Sequence, residues 1–328
     1  MSRSPDGGWA ARRVLVTGAT GMVGSWLVKE LLSCGATVVV LIRDADPQSE
    51  LLRSGDIART VVVNGELEDP RAVERAINEH ETDTVFHLGA QTIVGVAHRD
   101  PLSTWESNVR GTYNLLEAVR RHRDLVRAVV VASSDKAYGE SDELPYTEEM
   151  PLAGRRPYEV SKVCAELLAS SYHHTYALPI ALARCANIYG GGDLNWSRIV
   201  PGTIRALHRA ERPVLRSDGT YLRDYMYVKD AARSYVVLAE ALDDPAVHGE
   251  AFNFSADATF TVREIVAKIA ELMDRRDLEP EILSTAVGEI HDQTLDAAKA
   301  RRVLGWAPSF DVADGLTETI DWYRGFLG

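Results

Sequence analysis

Cysteine is scarce in this chain of 328 residues: Cys34, Cys164 and Cys185 are odd in number, far apart and without a C-x-x-C pair. That excludes a disulfide framework and makes a reducing cytoplasm the expected compartment. No apolar run approaches the roughly 18 residues of a membrane span, so no membrane association is expected. Met1–Ala11 contains Gly, Ser and Asp and lacks an apolar h-region, which predicts a frayed terminus rather than a signal peptide. Positive charge is in deficit: 36 Lys and Arg face 48 Asp and Glu, a net charge of −12, which argues against a nucleic-acid or anionic-membrane binder and leaves only local basic pockets. Repeats and low-complexity segments are missing as well.

What is present is a globular balance, 45% hydrophobic and 26% charged, with enough chain for a core that needs no metal or disulfide. At roughly 100–200 residues per domain, the length predicts two domains or one large domain with an excursion. Val14–Thr17, Thr37–Ile42, Val61–Val63, Thr84–Leu88 and Ala128–Ala132 are short Val-rich runs. Helical stretches separate them: Gly24 to Leu32, Pro70–Glu79 and Leu102–Arg121. A sixth unit runs from a Tyr158–Tyr172 helix into Pro179–Ala186. Uninterrupted strands alternating with helices predict an α/β fold, a doubly wound Rossmann-type parallel sheet covered on both faces. After Ala186 the alternation ends. Gly190–Asp193 reads as a loop, Pro213–Tyr227 as strand and turn, and Ile199–Arg209, Tyr227–Leu242, Val262–Met273 and Ala313–Arg324 as helices. A smaller, discontinuous C-terminal α+β lobe is expected at the carboxyl ends of the strands, where α/β proteins bind ligands. The expected division gives residues 1–186 plus 224–254 to a dinucleotide-binding domain and 187–223 plus 255–328 to a substrate lobe.

Two constellations carry chemistry. Gly18-Ala-Thr-Gly21-Met-Val-Gly24 forms a G-x-x-G-x-x-G turn between the first strand and the first helix. Glycines there let backbone amides approach a pyrophosphate seated on the helix N-terminus. Tyr158-Glu-Val-Ser-Lys162 sets a tyrosine and a lysine four apart on one helix face, where the ammonium is expected to stabilise the phenolate and lower the tyrosine pKa. That would make Tyr158 a base for a substrate hydroxyl. Ser133-Ser134 closes the preceding strand.

With these residues the chain resembles the extended short-chain dehydrogenase/reductase family, in its nucleotide-sugar epimerase/dehydratase branch. Further motifs along nearly the whole chain support the resemblance: Val85-Phe-His-Leu-Gly-Ala-Gln91, Asn108-Val-Arg-Gly-Thr112, Arg184-Cys-Ala-Asn187-Ile-Tyr-Gly190 and Arg223-Asp-Tyr-Met-Tyr-Val-Lys-Asp230. Within the branch, Ser134-Asp135-Lys136 is similar to the CDP-glucose 4,6-dehydratase loop, in which lysine replaces a glutamate. The resemblance implies C4 oxidation, elimination of water across C5–C6 and return of the hydride to C6. Tyr158 is then the base at the 4-hydroxyl, supported by Ser134 and Lys162. Asp135 serves as a protonated acid and Lys136 as a neutral base, states that proximity and burial favour. Two alternatives stay open: a nucleotide-sugar 4-epimerase, which needs neither Asp135 nor Lys136, and a non-catalytic dinucleotide-sensing protein.

The same resemblance implies a tightly bound, recycled NAD or NADP. Its contacts would come from Gly18, Thr20, Gly21, Met22, Val23 and Gly24, then from Arg43, Glu66, Leu67, Leu88, Ala90, Tyr158 and Lys162. Ile42 stands where an acid would hold an NAD ribose, so Arg43 favours a 2′-phosphate equally. The nucleotide-sugar substrate would meet Gln91, Ser134, Asn187, Arg198, Val200 and Arg223, the last at a phosphate. No metal is expected, since His173-His174 lacks companion ligands. Surplus apolar residues on two helices (Trp105, Val109, Tyr113, Val160, Cys164 and Leu168), together with the resemblance, imply a homodimer.

Overall fold

The Val-rich runs become a sheet because β-branched side chains suit a pleated surface that is buried on both sides. The computed structural model describes residues 8–285 and 289–328. In chain order the strands are β1 (Arg13–Thr17), β2 (Thr37–Ile42), β3 (Val61–Asn64), β4 (Thr84–His87), β5 (Ala128–Ala132), β6 (Ile180–Cys185), β7 (Asn187–Tyr189), β8 (Val214–Leu215), β9 (Leu222–Tyr227), β10 (Ala251–Phe254), β11 (Thr259–Thr261), β12 (Glu281–Ile282) and β13 (Asp292–Gln293). Seven of them form one sheet in the order β10-β6-β5-β4-β1-β2-β3, every pair parallel. Successive side chains alternate between its faces. Val14, Val16, Val38 and Val40 enter one core, and Leu15, Val39, Leu41 and Val129 the other. The doubly wound expectation holds.

The strand order reverses between β1 and β4, the switch point at which such sheets open a ligand crevice. Beyond β6 the chain builds a second unit. β9 pairs with β7, β11 and β13 in a four-stranded sheet, and β8 pairs with β12. Its own core gathers Tyr189, Ile204, Tyr225, Ile265, Leu316 and Tyr323. The helix Val228–Ala241 then returns to pack along the helix Met22–Ser33 of the large sheet. The division expected at residue 224 falls inside β9, all of whose strand partners lie in the smaller sheet.

Two expectations need correction. The run Leu102–Arg121 is not one regular helix: Pro101–Trp105 and Gly111–Arg121 are α-helical, and Glu106–Arg110 between them is a π-turn. The extra residue of a π-turn shifts the helical phase by about 100°, one offset across which the run still reads as a single helix. The fraying expected over Met1–Ala11 does not hold for its last four residues. Residues 1–7 lie outside the described residues, but Gly8–Ala11 form a 3-10 turn whose Trp9 is buried and donates its indole N–H to Glu240 Oε1 at 2.6 Å.

Candidate active site

A cleft of about 1740 Å³ runs over the carboxyl ends of β1, β4, β5 and β6 and beneath the smaller lobe. Of the residues expected to bind or react, all line it except Glu66, which sits in a shallow adjoining pocket with Arg43 and Glu68.

At the cofactor end, Gly18 takes φ +72° and lies so close to β4's exit that a Cβ would meet Gly89 N at 2.7 Å. A Cβ on Gly24 would strike Gly18 O at 2.1 Å, so that glycine lets the first helix sit on the turn. Gly21 caps the helix Met22–Ser33 without a side-chain hydrogen bond, leaving the first-turn N–H groups open toward the cleft. Uncapped amides at the positive end of a helix suit a pyrophosphate. Thr17 Oγ1 accepts from Gly89 N at 3.0 Å, which locks β1 to the Leu88–Ala90 segment. Ile42 is buried, and Arg43 and Asp44 just beyond it pair with each other at 2.7 Å.

At the reactive centre, β5 is followed by Ser134, whose Oγ accepts from Lys136 N at 3.2 Å and donates to Asp135 Oδ1 at 2.9 Å. A 3-10 turn over Asp135–Tyr138 thereby faces both residues toward the cleft. The helix Pro157–Tyr176 opens with Pro157 in its first turn and with Glu159 Oε2 accepting from the Arg155 and Arg156 amides. This start presents Tyr158 and Lys162 to the same space. Asn108, on the π-turn, secures that helix: its amide donates to Ser161 Oγ at 2.9 Å and brackets the backbone of Gln91. π-turns recur at functional sites, where they re-aim one side chain.

One electrostatic expectation fails. Burial pushes Tyr158 up to about 12, against a smaller lowering by the Ser134 hydroxyl and the Arg198 charge. Lys162 gives Tyr158 no hydrogen bond among the described residues; its Nζ donates to Ala132 O at 2.9 Å instead. Four-residue spacing puts both groups on one face, but the lysine stem is long enough to reach the free carbonyl at the end of β5. Burial brings Lys162 down to about 8 and also lowers Lys136. The downward shift expected for Lys136 is present, with Asp135 opposing it.

The lobe end is basic despite the acidic chain: Arg198, Arg205, Arg209, Arg212, Arg216 and Arg223 all line it. Arg223 is largely committed. Its Nη1 donates to the carbonyls of Leu222 and His291, and its Nη2 to that of Ile290. Two of its five N–H groups remain for a ligand. Sequence reasoning missed Gln293, which meets Lys136, and Glu166, which pairs with Arg184. No local pattern marks Gln293. Glu166 did carry a signal, being an acid on the same helix stripe as Tyr158 and Lys162.

Residues 15–319 match the family model described as GDP-mannose 4,6 dehydratase. The chain belongs to this family. The GDP-mannose 4,6 dehydratase family lies within the extended short-chain dehydrogenase/reductases that the motifs indicated. The chain is 31% identical to a CDP-glucose 4,6-dehydratase of Salmonella typhimurium, over 97% of its own length and 92% of the relative's. Among solved structures it resembles a UDP-glucose 4-epimerase of Thermotoga maritima, with TM-score 0.87 and 27% identity, covering 96% of this chain and 100% of that one. It also resembles a dTDP-glucose 4,6-dehydratase of Streptomyces venezuelae solved with NAD bound, with TM-score 0.86 and 28% identity, covering 95% and 97%. Dehydratases and epimerases of this family thus share the fold, and the reactive loop has to separate them.

Proposed function

We propose that this protein is an NAD-dependent nucleotide-sugar 4,6-dehydratase of the CDP-glucose 4,6-dehydratase kind. The observation that carries the reading is the Asp135–Lys136 pair, facing the cleft beside Tyr158 from a turn that Ser134 caps. A 4-epimerase needs one proton acceptor at O4. A dehydratase needs two further groups, one to take the C5 proton and one to protonate the departing C6 hydroxyl.

The glycine turn, the open helix N-terminus and the Leu88–Ala90 segment fit a dinucleotide pyrophosphate. Bound there, a nicotinamide dinucleotide supplies the hydride acceptor for C4 and the donor for C6, and ends each turnover as it began. Tyr158 takes the 4-hydroxyl proton as a phenolate, with Ser134 at its hydroxyl; the positive charge of an oxidised nicotinamide would offset the burial that otherwise keeps the phenol protonated. Lys136, biased toward its neutral form by burial, removes the C5 proton. Asp135 protonates the leaving hydroxyl. Asn187 and Gln91 border the sugar, and Arg198, Val200 and Arg223 hold the diphosphate end. The dinucleotide belongs to residues 1–186 and 228–254, and the nucleotide sugar to 187–227 and 255–328.

NAD is favoured over NADP by charge. Arg43 is paired with Asp44, and the pocket beside it carries Glu66, Glu68, Asp100 and Glu106, poor company for a 2′-phosphate. Binding titrations monitored by NADH and NADPH fluorescence test this; equal affinity for the two would overturn it. A cytoplasmic homodimer is the assembly we infer, joined through the helices over 101–121 and 157–176, where Leu102, Tyr113 and Leu167 are 66%, 40% and 61% exposed.

The reaction class is tested by turnover of CDP-glucose in D₂O. A dehydratase exchanges the C5 hydrogen for solvent deuterium in the 4-keto product. A product that carries no deuterium at carbon favours the epimerase.

A further inference from the structure

Gln293 lies on β13 of the smaller sheet, 157 residues along the chain from the lysine it meets. It is 0% exposed, its backbone pairs with Arg223, and its Oε1 accepts from Lys136 Nζ at 2.8 Å. Its other terminal atom, Nε2, is buried and has no hydrogen-bond partner among the described residues. Buried amide donors normally find one. Here the neighbour is a group whose hydrogen-bonding sense changes with its proton: an ammonium only donates, whereas a neutral amine also offers a lone pair. A carboxylate at this position would only accept, and would hold the lysine charged. An amide offers both an acceptor and a donor, exchanged by a half-turn about Cγ–Cδ.

We propose that Gln293 is the positioning residue of Lys136, its amide partnering the amino group through Oε1 when charged and through Nε2 when neutral. The lysine then stays in place while it takes up a proton and gives it back. This rests on the reading of Lys136 as the base.

The surroundings agree. Burial is the main influence disfavouring the charged lysine; Arg223 adds to it, while Asp135, Glu289 and Glu159 oppose it. A neutral partner adds no net charge to that balance, and its carbonyl supports the ammonium only as a hydrogen-bond acceptor. Gln293 is also held from both sides. Arg223 grips the carbonyls of Ile290 and His291, and beyond Gln293 the backbone of Tyr146 bonds to Thr294 O at 2.8 Å and from Asp296 N at 2.9 Å. Tyr146 in turn donates its hydroxyl to Gly139 O at 2.6 Å, at the end of the turn that bears Lys136. The smaller lobe thereby sets where the lysine's amino group sits.

The test reads the lysine itself. The chain has six lysines, so ¹³C-lysine-labelled protein gives a resolvable spectrum, with the Lys136 signal assigned by its loss in Lys136→Met. Gln293→Glu should raise the Lys136 titration midpoint by about one pH unit or more, and the near-isosteric, apolar Gln293→Met should lower it. Midpoints unchanged in both variants overturn the proposal; if Gln293→Glu fails to fold, Gln293→Met alone decides. The titration needs no substrate, so it stands apart from the reaction class. A wild type that dehydrates, with Lys136 unmoved in the variants, refutes Gln293 alone. A moved midpoint in a protein whose Lys136→Met variant keeps full turnover upholds the pairing and refutes the base.

Discussion

Arg184 and Glu166 form a buried ion pair, with Nη2 to Oε2 at 2.6 Å and Nε to Oε1 at 2.9 Å. Arg184 also donates to the Tyr138 hydroxyl at 2.7 Å, and Ser133 donates to Glu166. Through these bonds β6 and the Tyr158 helix grip both ends of the reactive turn, just behind Ser134 and at Tyr138.

Removing one partner leaves an uncompensated buried charge, which costs about 3–5 kcal/mol. Arg184→Met should therefore lower unfolding free energy in urea by that amount. Arg184→Met combined with Glu166→Leu should cost clearly less than the sum of the single changes. Additive losses would mean that the pair is not a unit.

His87 predicts an acid sensitivity. Thr17 Oγ1, which accepts from Gly89 N–H, lies 2.9 Å from His87 Nδ1 and donates to that nitrogen when the ring carries its proton on Nε2. Thr112 Oγ1 donates to Asn108 O, so His87 Nε2–H donates to Thr112 at 3.0 Å. That fixes the Nε2–H tautomer of the neutral ring, and burial, aided by the Lys162 charge, brings its pKa down from 6.5 to about 3. Unfolded chains take the proton that the folded protein refuses. Stability contributed by neutral His87 is complete above pH 6.5 and is lost as pH falls toward 3, with a slope of about 1.4 kcal/mol per pH unit. Urea unfolding between pH 4 and 6 should show a shallower dependence for His87→Gln, by about that slope. Equal slopes would contradict the buried neutral ring.

Tyr158→Phe removes a proton acceptor without altering the ring. Turnover should fall by about 10²–10⁴-fold or more, with NADH binding retained. In cofactor-free protein, the ultraviolet titration difference between wild type and this variant should lie near pH 12, where burial sets the phenol. A variant with half the wild-type rate would remove Tyr158 from the reaction.

Association through the helical runs over 101–121 and 157–176 is checked by light scattering. Wild type should show twice the chain mass, and Leu167→Glu, which buries a charge at the proposed contact, should approach the single mass of 36.1 kDa. A wild-type monomer at micromolar concentration would contradict the dimer.

Local chemistry made much of this legible. Val14–Thr17, Thr37–Ile42 and Ala128–Ala132 read as strands because apolar β-branched runs have few other uses at that length, and Gly18, Gly21 and Gly24 place a phosphate turn between a strand and a helix. What stayed hidden depends on distant chain. Gln293 reaches Lys136 only because β13 pairs with β9, Lys162 turns to a carbonyl that only the sheet supplies, and Arg223 spends its donors on a segment almost 70 residues away. The π-turn at Asn108 offsets the helical phase by one residue, too little to mark a break in the run. Long-range pairing, not propensity, decides such contacts.

The central claim, that Asp135 and Lys136 turn a sugar oxidation into loss of water, is tested most directly by the mass of the product. Purified protein incubated with CDP-glucose should yield a nucleotide sugar lighter by one water. Asp135→Asn and Lys136→Met should abolish that product while still reducing bound cofactor at the nicotinamide absorbance. A wild-type product of unchanged mass, or dehydration at the wild-type rate by Asp135→Asn, would contradict the account.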